Sequence, residues 1–373
     1  MMKMDDALLL SQIERLERAA IGYYTGQIAA EQATAMNYYL GKPFGTEEEG
    51  RSQVVSSDVW DGVEGMTPMV LRPFVSAENV VKFNPVGPDD EDAANQESEY
   101  INWVVTQKND VFNELVAWVK TGLLQKNGVV KYWWEKSRAS TIERYFGVED
   151  DVYTALIEAD DVTVVEHNEE VNDQGVTVHD VTLRIAEDVG EAKYCVIPPE
   201  EFLISRDARS PNPQLARFVQ HRRKVTISEL RSMGYEVEDD ISDFGGHNSE
   251  LSPQYQARRN EEESNFANQG ELSDPASREV MYRETYLLVD YDGDGIAELR
   301  KVCAVGSTKL MNEETEEIPF CGWTPYTQPF KFYGRCPADE LTEIQLIKST
   351  VLRQTMDNIY TVNNNTRDRK SVV

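Results

Sequence analysis

Residues 97–134, ESEYINWVVTQKNDVFNELVAWVKTGLLQKNGVVKYWW, contain both of the periodicities that decide the fold class. From about Glu97 to Gln125 apolar side chains recur at helical spacing, through Ile101, Val104, Val105, Val111, Phe112, Leu115, Trp118, Val119 and Leu123. Asn127-Gly128 supplies a C-terminal stop. Val129-Val130-Lys131-Tyr132-Trp133-Trp134 then reads as a strand by its β-branched and aromatic content. A long helix running directly into a strand predicts a mixed α+β protein.

Upstream, Leu9, Ile13, Leu16 and Ala20 mark a first helical stripe, and Ile28–Leu40 reads as a second helix, stopped by Gly41-Lys42-Pro43-Phe44-Gly45. Ser57 or Asp58 is placed to cap a short helix, and Pro68 to start another. Residues 85–98 (PVGPDDEDAANQES) read as a solvated loop. Downstream the period shifts towards two, predicting strands at Val162–His167, Val176–Ile185 and Lys193–Ile197, with a turn at Asn172–Gly175. Thr226 opens a short helix ending at Gly234. Residues 239–278 carry almost no aliphatic side chains and read as a flexible surface excursion. Strands at Val280–Asp290 and Ala297–Val305 then form a hairpin, and a helix runs from about Asp339 to Tyr360, opened by Pro337. The resulting division is 1–135 helical, 136–238 mixed, 239–278 excursion, 279–335 hairpin and 336–373 terminal helix.

Composition narrows the function. The chain of 373 residues has 66 acidic and 37 basic residues and a formal net charge of -29. Such a surface repels phosphate backbones, which argues against gripping DNA by counterion release and is compatible with letting DNA slide past. It also simply keeps a protein dispersed. Cys195, Cys303, Cys321 and Cys336 are widely spaced and read as reduced thiols. The N-terminus lacks a signal-peptide core, and no run reaches the ~20 apolar residues of a membrane span.

The sharpest motif is Asp290-Tyr291-Asp292-Gly293-Asp294-Gly295-Ile296. Carboxylates on alternate residues followed by glycine match the first half of an EF-hand loop, and Asp290, Asp292 and Asp294 could converge on a hard cation. The second half departs from the pattern: the twelfth position is Lys301, Glu298 arrives early, and strands flank the loop. A weak Ca²⁺ site and a glycine-enabled hairpin turn with solvated acids are therefore both open. No other cofactor is indicated. His167, His179, His221 and His247 show no metal spacing, and no residue is nominated as catalytic. His221-Arg222-Arg223-Lys224 reads as a strand edge or as partners for the abundant acids rather than a phosphate site. Tyr132, Trp133 and Trp134 read as a buried strand rather than a base-stacking platform.

Several segments resemble the portal (head-to-tail connector) proteins of short-tailed double-stranded DNA phages. They are Arg51–Ser56 with Asp58-Val59-Trp60-Asp61 and Met66-Thr67-Pro68; Asn102-Trp103 through Trp134; Ile197–Leu203 with Asp207-Ala208; the Asp290–Glu298 hairpin; and Glu340–Asn365 with Thr350, Arg353 and Asp357-Asn358. Their order and spacing carry the likeness over most of the chain, with 239–278 as the gap. The resemblance implies a wing region of helices and antiparallel strands up to about residue 335, a stem-like helix at 339–360, and the entry to the clip from Asn363. It implies a non-enzymatic ring, usually of twelve copies, at one capsid vertex of the virion, assembled in the host cytoplasm. Implied partners are the chain itself, the terminase large subunit, major capsid and scaffolding proteins, a tail adaptor or head-completion protein, and double-stranded DNA passing without sequence-specific binding; no membrane is involved. By the same analogy the chain stops short of the returning stem helix and the C-terminal crown or barrel, and the natural protein is expected to continue. The competing reading is a non-viral acidic binding module with a Ca²⁺-binding Asp-rich hairpin, and a hydrolase with a carboxylate or metal site stands behind it.

Overall fold

The computed structural model describes residues 3–77, 79–87, 90–157, 162–171, 177–238, 241, 253–258 and 275–363. Contacts divide the chain into two units, residues 1–131 with 195–373, and residues 132–194.

The larger unit opens with α1 (Asp6–Tyr23), which passes through one π turn at Tyr24–Ile28 into α2 (Ala29–Tyr39). The stripe Leu9, Ile13, Ala20, Tyr24 and Ile28 is buried, so one apolar face dictates the whole helical run. α3 (Asp58–Val75) follows, then α4 (Glu91–Trp103) and α5 (Val111–Gln125). The foot of β1 (Gly128–Glu149) leaves α5 through Lys126, which adopts φ 74°.

The smaller unit consists of the remainder of β1, α6 (Asp150–Ile157), β2 (Val162–Val171) and most of β3 (Thr177–Ile197). β3 lies between β2 and β1. Gly190 makes room for the Trp134 indole, because a Cβ there would come 2.3 Å from it.

Back in the larger unit come β4 (Phe202–Ile204), β5 (Phe218–Thr226), α7 (Ile227–Ser232), α8 (Pro253–Arg258), β6 (Glu279–Val289), β7 (Glu298–Val305), β8 (Thr308–Glu314), β9 (Phe320–Trp323) and α9 (Pro337–Asn363). Strands β4-β5-β6-β7-β8 form one antiparallel sheet in that order. β9 pairs with the foot of β1, from Gly128 opposite Trp323 to Lys131 opposite Phe320.

Among the described residues, three apolar cores hold this unit. One joins α1 to the sheet through Leu9, Ile13, Phe202, Phe218, Phe320 and Phe332. A second lies among α2, α3, α5 and the start of α9. A third tucks α7 against β5, β6 and β7.

The α+β class holds, with antiparallel sheets and a long terminal helix, while several details differ from the sequence reading. The helix placed at 97–125 is two helices. Asn109 is extended and its side chain donates to the Val104 carbonyl at 2.9 Å, an Asn–backbone bond that competes with helix continuation. Residues 91–98 are the start of α4, not loop. Pro68 lies inside α3, whose buried Val59, Val63, Thr67 and Leu71 hold one helix through it. Residues 177–185 and Lys193–Ile197 belong to a single strand, β3, and Val176 lies outside the described residues. The turn at 172–175 lies outside the described residues. So does most of the 239–278 excursion, but α8 lies within it, and Lys42 Nζ donates to the Ala257 carbonyl at 2.9 Å. The segments drawn at 136–238 and 279–335 share one sheet, since β5 pairs with β6 over nine residues.

Candidate functional surface: the terminal helix and its clamp

Pro337 opens α9, where a missing amide costs nothing. Asp339 reaches back to accept from the Cys336 amide at 3.0 Å, which satisfies one of the helix's orphan donors. The same carboxylate takes the buried Lys126 ammonium at 2.7 Å, and Glu31 takes it at 2.9 Å. Burial alone would lower the Lys126 pKa; the hydrogen bonds that its ammonium donates to Asp339 and Glu31 outweigh it and raise it. The strained residue that ends α5 thus ties α2, α5 and α9 together.

From there a row at four-residue spacing runs along one face: Leu341, Gln345, Ser349, Arg353 and Asp357. Residues i and i+4 share a helix face, so the row meets one neighbour. That neighbour is the extended segment 52–57 and the start of α3. Gln345, fully buried, accepts from the Val59 amide at 2.8 Å and donates to the Tyr38 carbonyl at 3.0 Å. Val59 is in the first turn of α3 and Tyr38 in the last turn of α2, so one glutamine satisfies an orphan amide of α3 and adds a second donor to a carbonyl of α2 that also accepts from the Gly41 amide at 3.1 Å. Ser349 Oγ accepts from the Ser56 amide at 3.0 Å. Arg353 donates to the Val54 carbonyl at 2.8 Å and to Glu47 at 2.7 Å, and Asp357 accepts from the Ser52 amide at 2.7 Å. Partial burial works against ionisation of Glu47, yet the Phe44 amide and the Arg353 guanidinium hold its carboxyl down at about 2. Lys348 adds a bond to Asp58 at 2.6 Å.

The far side of α9 is different. Ile344, Ile347, Val351 and Val362 form an apolar row that stands in solvent, with Ile347 65% and Val351 56% exposed. α3 adds exposed Trp60, Met69 and Val75. Leu341, by contrast, packs inward, over Gly62. Scattered exposed hydrophobics are ordinary; a row of them along a helix anchored on its other face marks an interaction surface.

The Asp-rich loop sits between β6 and β7, as the hairpin reading expected. Single carboxylate oxygens of Asp290, Asp292 and Asp294 lie within 4.8 Å of one another. Other bonds serve the turn: Asp290 accepts from the Gly293 and Gly295 amides at 2.7 and 3.0 Å, Asp292 from Asp294 at 3.1 Å, and Asp294 from Ile296 at 2.7 Å. Glu298 accepts from the Tyr291 amide at 3.1 Å and bonds Arg300, so it closes the loop.

The basic run 221–224 lies on β5; His221 is the last residue beside β4, and Arg222–Lys224 pair with β6 and lie beyond the end of β4, the strand-edge position that the sequence suggested. His221 and Arg222 are buried, Arg223 pairs with Glu229 at 3.0 Å, and Lys224 approaches Glu279 at 3.9 Å. Pairing with acids is what this run does. Beside it Glu284 is buried among Lys131, Lys301 and Tyr286. Burial would raise its pKa, and the two ammonium groups instead hold it down at about 2. Trp134 is more exposed than a buried strand requires, at 58%. All four cysteines are free thiols. No helix among the described residues is long and apolar enough to cross a membrane.

α9 is thus anchored on one face and apolar on the other, on a body of helices and antiparallel sheets. The chain matches the family model described as Phage SU10 portal protein over residues 9–369, and it belongs to that family. A comparison with curated proteins finds no match. Membership makes this a structural phage protein of the portal and displaces the non-viral binding-module reading. The family implies an oligomeric ring that meets the capsid.

The clamp residues carried a readable signal. Arg353 and Asp357 already stood among the residues carrying the family likeness, and with Gln345 and Ser349 they recur at the four-residue spacing of one helix face.

Proposed function

We propose that the chain is the repeating subunit of a twelve-membered ring at one capsid vertex of the virion, serving as a passive conduit for genome packaging and ejection. The family match across 9–369 carries this reading. In it, α9 is the stem-like helix, its polar row fixed to the wing body and its apolar row facing a neighbouring copy. The ring docks the terminase large subunit on one side and a tail adaptor or head-completion protein on the other. It meets major capsid and scaffolding proteins while assembling in the host cytoplasm, and it performs no catalysis of its own. A net charge of -29 suits a wall that double-stranded DNA passes without adhering.

The test is the double variant Ile347→Asp with Val351→Asp. Both side chains are exposed in the single chain, so the fold by circular dichroism should be unchanged while ring formation in analytical ultracentrifugation is lost. Rings that form as readily as wild type would remove α9 from the interface.

The Asp-rich hairpin supports a second proposal, a weak Ca²⁺ site at Asp290, Asp292 and Asp294. Rings of alternate carboxylates take Ca²⁺ through oxygen ligands, with affinities down to about millimolar. Calcium at that level should raise the melting temperature of wild type and leave Asp292→Asn unmoved. A titration with neither heat nor a melting shift would leave the loop as a turn alone.

A further inference from the structure

Residues 318–338 hold no Asp or Glu in a strongly acidic chain, and their only charges are Lys331 and Arg335. An antiparallel bridge closes the middle of this stretch into a loop: the Tyr326 amide donates to the Arg335 carbonyl at 3.2 Å and the Arg335 amide to the Tyr326 carbonyl at 2.9 Å. At the tip the Lys331 amide donates to the Gln328 carbonyl at 3.3 Å, which closes the turn Gln328-Pro329-Phe330-Lys331. Proline second and a positive φ third is the arrangement of a type II turn, whose third place ordinarily takes glycine. Here that place holds Phe330, at φ 60°. A bulky side chain in the left-handed region is strained. Packing within the chain does not repay the strain, because Phe330 is 81% exposed, while Phe332 and Tyr333 just after it are buried in the core.

We infer that Phe330 is an anchor for a second copy of this chain and seats on the outward face of the neighbour's α9. The inference rests on the ring reading above and names a contact within it. Charge and chemistry select this occupant. Glu340, Glu343, Ile344, Ile347 and Val351 lie three and four residues apart on one side of α9, and all are exposed. That face opens with two carboxylates and continues apolar. The turn presents the complement: an exposed aromatic group with the exposed Lys331 next to it and the exposed Arg335 at the base of the loop. In such a contact the charges set the encounter and the register, and the buried aromatic side chain supplies most of the affinity. Copies with a net charge of -29 repel one another, so an acid-free surface is where they can close. A turn on one copy against a helix on the next is a head-to-tail contact, which builds a ring when its rotation closes. Glycine would relax the turn and delete the anchor together, so the two effects separate by sign.

The experiment is sedimentation velocity of the 373-residue protein across a concentration series, which reads the midpoint of assembly, paired with thermal unfolding below that midpoint. Phe330→Gly should raise the midpoint by roughly 10- to 100-fold, the worth of fully burying one phenylalanine. Its melting temperature should equal or exceed that of wild type. A lower melting temperature would make Phe330 part of the fold, and an unchanged midpoint would leave it idle at the surface; either result overturns the anchor. Lys331→Glu should also raise the midpoint, and adding Glu343→Lys should bring it back. Adding Glu99→Lys on α4 instead changes the net charge by the same amount and should restore nothing. Equal rescue by the two, or none by Glu343→Lys, would overturn the seat on α9. Wild-type rings beside an unaffected Phe330→Gly variant defeat this contact alone, whereas a wild type that never assembles defeats the ring reading with it.

Discussion

Replacing Gln345 with leucine keeps the volume of a fully buried side chain and removes both of its hydrogen bonds. The Val59 amide is then orphaned in a dry place, while the Tyr38 carbonyl keeps the Gly41 amide at 3.1 Å. Orphaning the amide costs about 1–3 kcal/mol, the lost second bond of the carbonyl about 1 kcal/mol, and the apolar replacement returns about 1 kcal/mol. Gln345→Leu should therefore destabilise the chain by about 1–3 kcal/mol, a shift of roughly 0.5–1.5 M in urea midpoint at a slope of about 2 kcal/mol/M. Ser349→Ala removes a single acceptor, that of the Ser56 amide, and should cost about 1 kcal/mol. Amide hydrogen exchange locates the effect: the Val59 amide should lose protection in Gln345→Leu, while amides of the β5–β6 pair, remote from α9, should change only with global stability. A midpoint within about 0.5 kcal/mol of wild type, with Val59 still protected, would refute the claim that α9 caps α3 and α2 in trans.

The remaining predictions concern other parts of the larger unit. Glu284→Gln breaks a buried charge cluster and should cost about 3 kcal/mol at neutral pH. The native carboxyl titrates at about 2 against an ordinary 4.5, so its stabilisation is complete above pH 4.5 and is lost as pH falls towards 2. Urea midpoints of wild type and variant should therefore converge across that window, and a constant gap would contradict the assignment. Gly322→Ala should destabilise by about 1–3 kcal/mol, because its Cβ would sit 2.5 Å from the Pro211 carbonyl oxygen, a backbone atom that cannot rotate away. Thermal unfolding measures this directly.

How much of this was legible depends on which forces act locally. The β6–β7 hairpin was readable, because Asp and Gly turn chemistry acts within a few residues. So was α7, whose Thr226 side chain accepts from the Glu229 amide at 3.1 Å. The start of α9 was readable from Pro337. The break between α4 and α5 was not, since Val104, Val105 and Val111 kept the apolar rhythm through it while one Asn109 side chain ended the helix. The run His221–Lys224 was readable as a strand edge paired with acids; the burial of His221 was not, because it depends on Glu201, a partner on another element. The Gln345 clamp joins residues nearly 300 positions apart, so no window reading could find its partners, though the four-residue polar spacing on α9 was visible. His167 and His179 gave no sign of meeting, because strand register rather than chain proximity brings their rings together.

The central claim is that copies of this chain close into a portal ring through the outward face of α9. Native mass spectrometry across salt concentrations tests it most directly. The account predicts a discrete species at twelve times the 42.4 kDa subunit mass, absent in the Ile347→Asp, Val351→Asp variant. A monomer under every condition, or a ladder of open oligomers with no closed species, would contradict it.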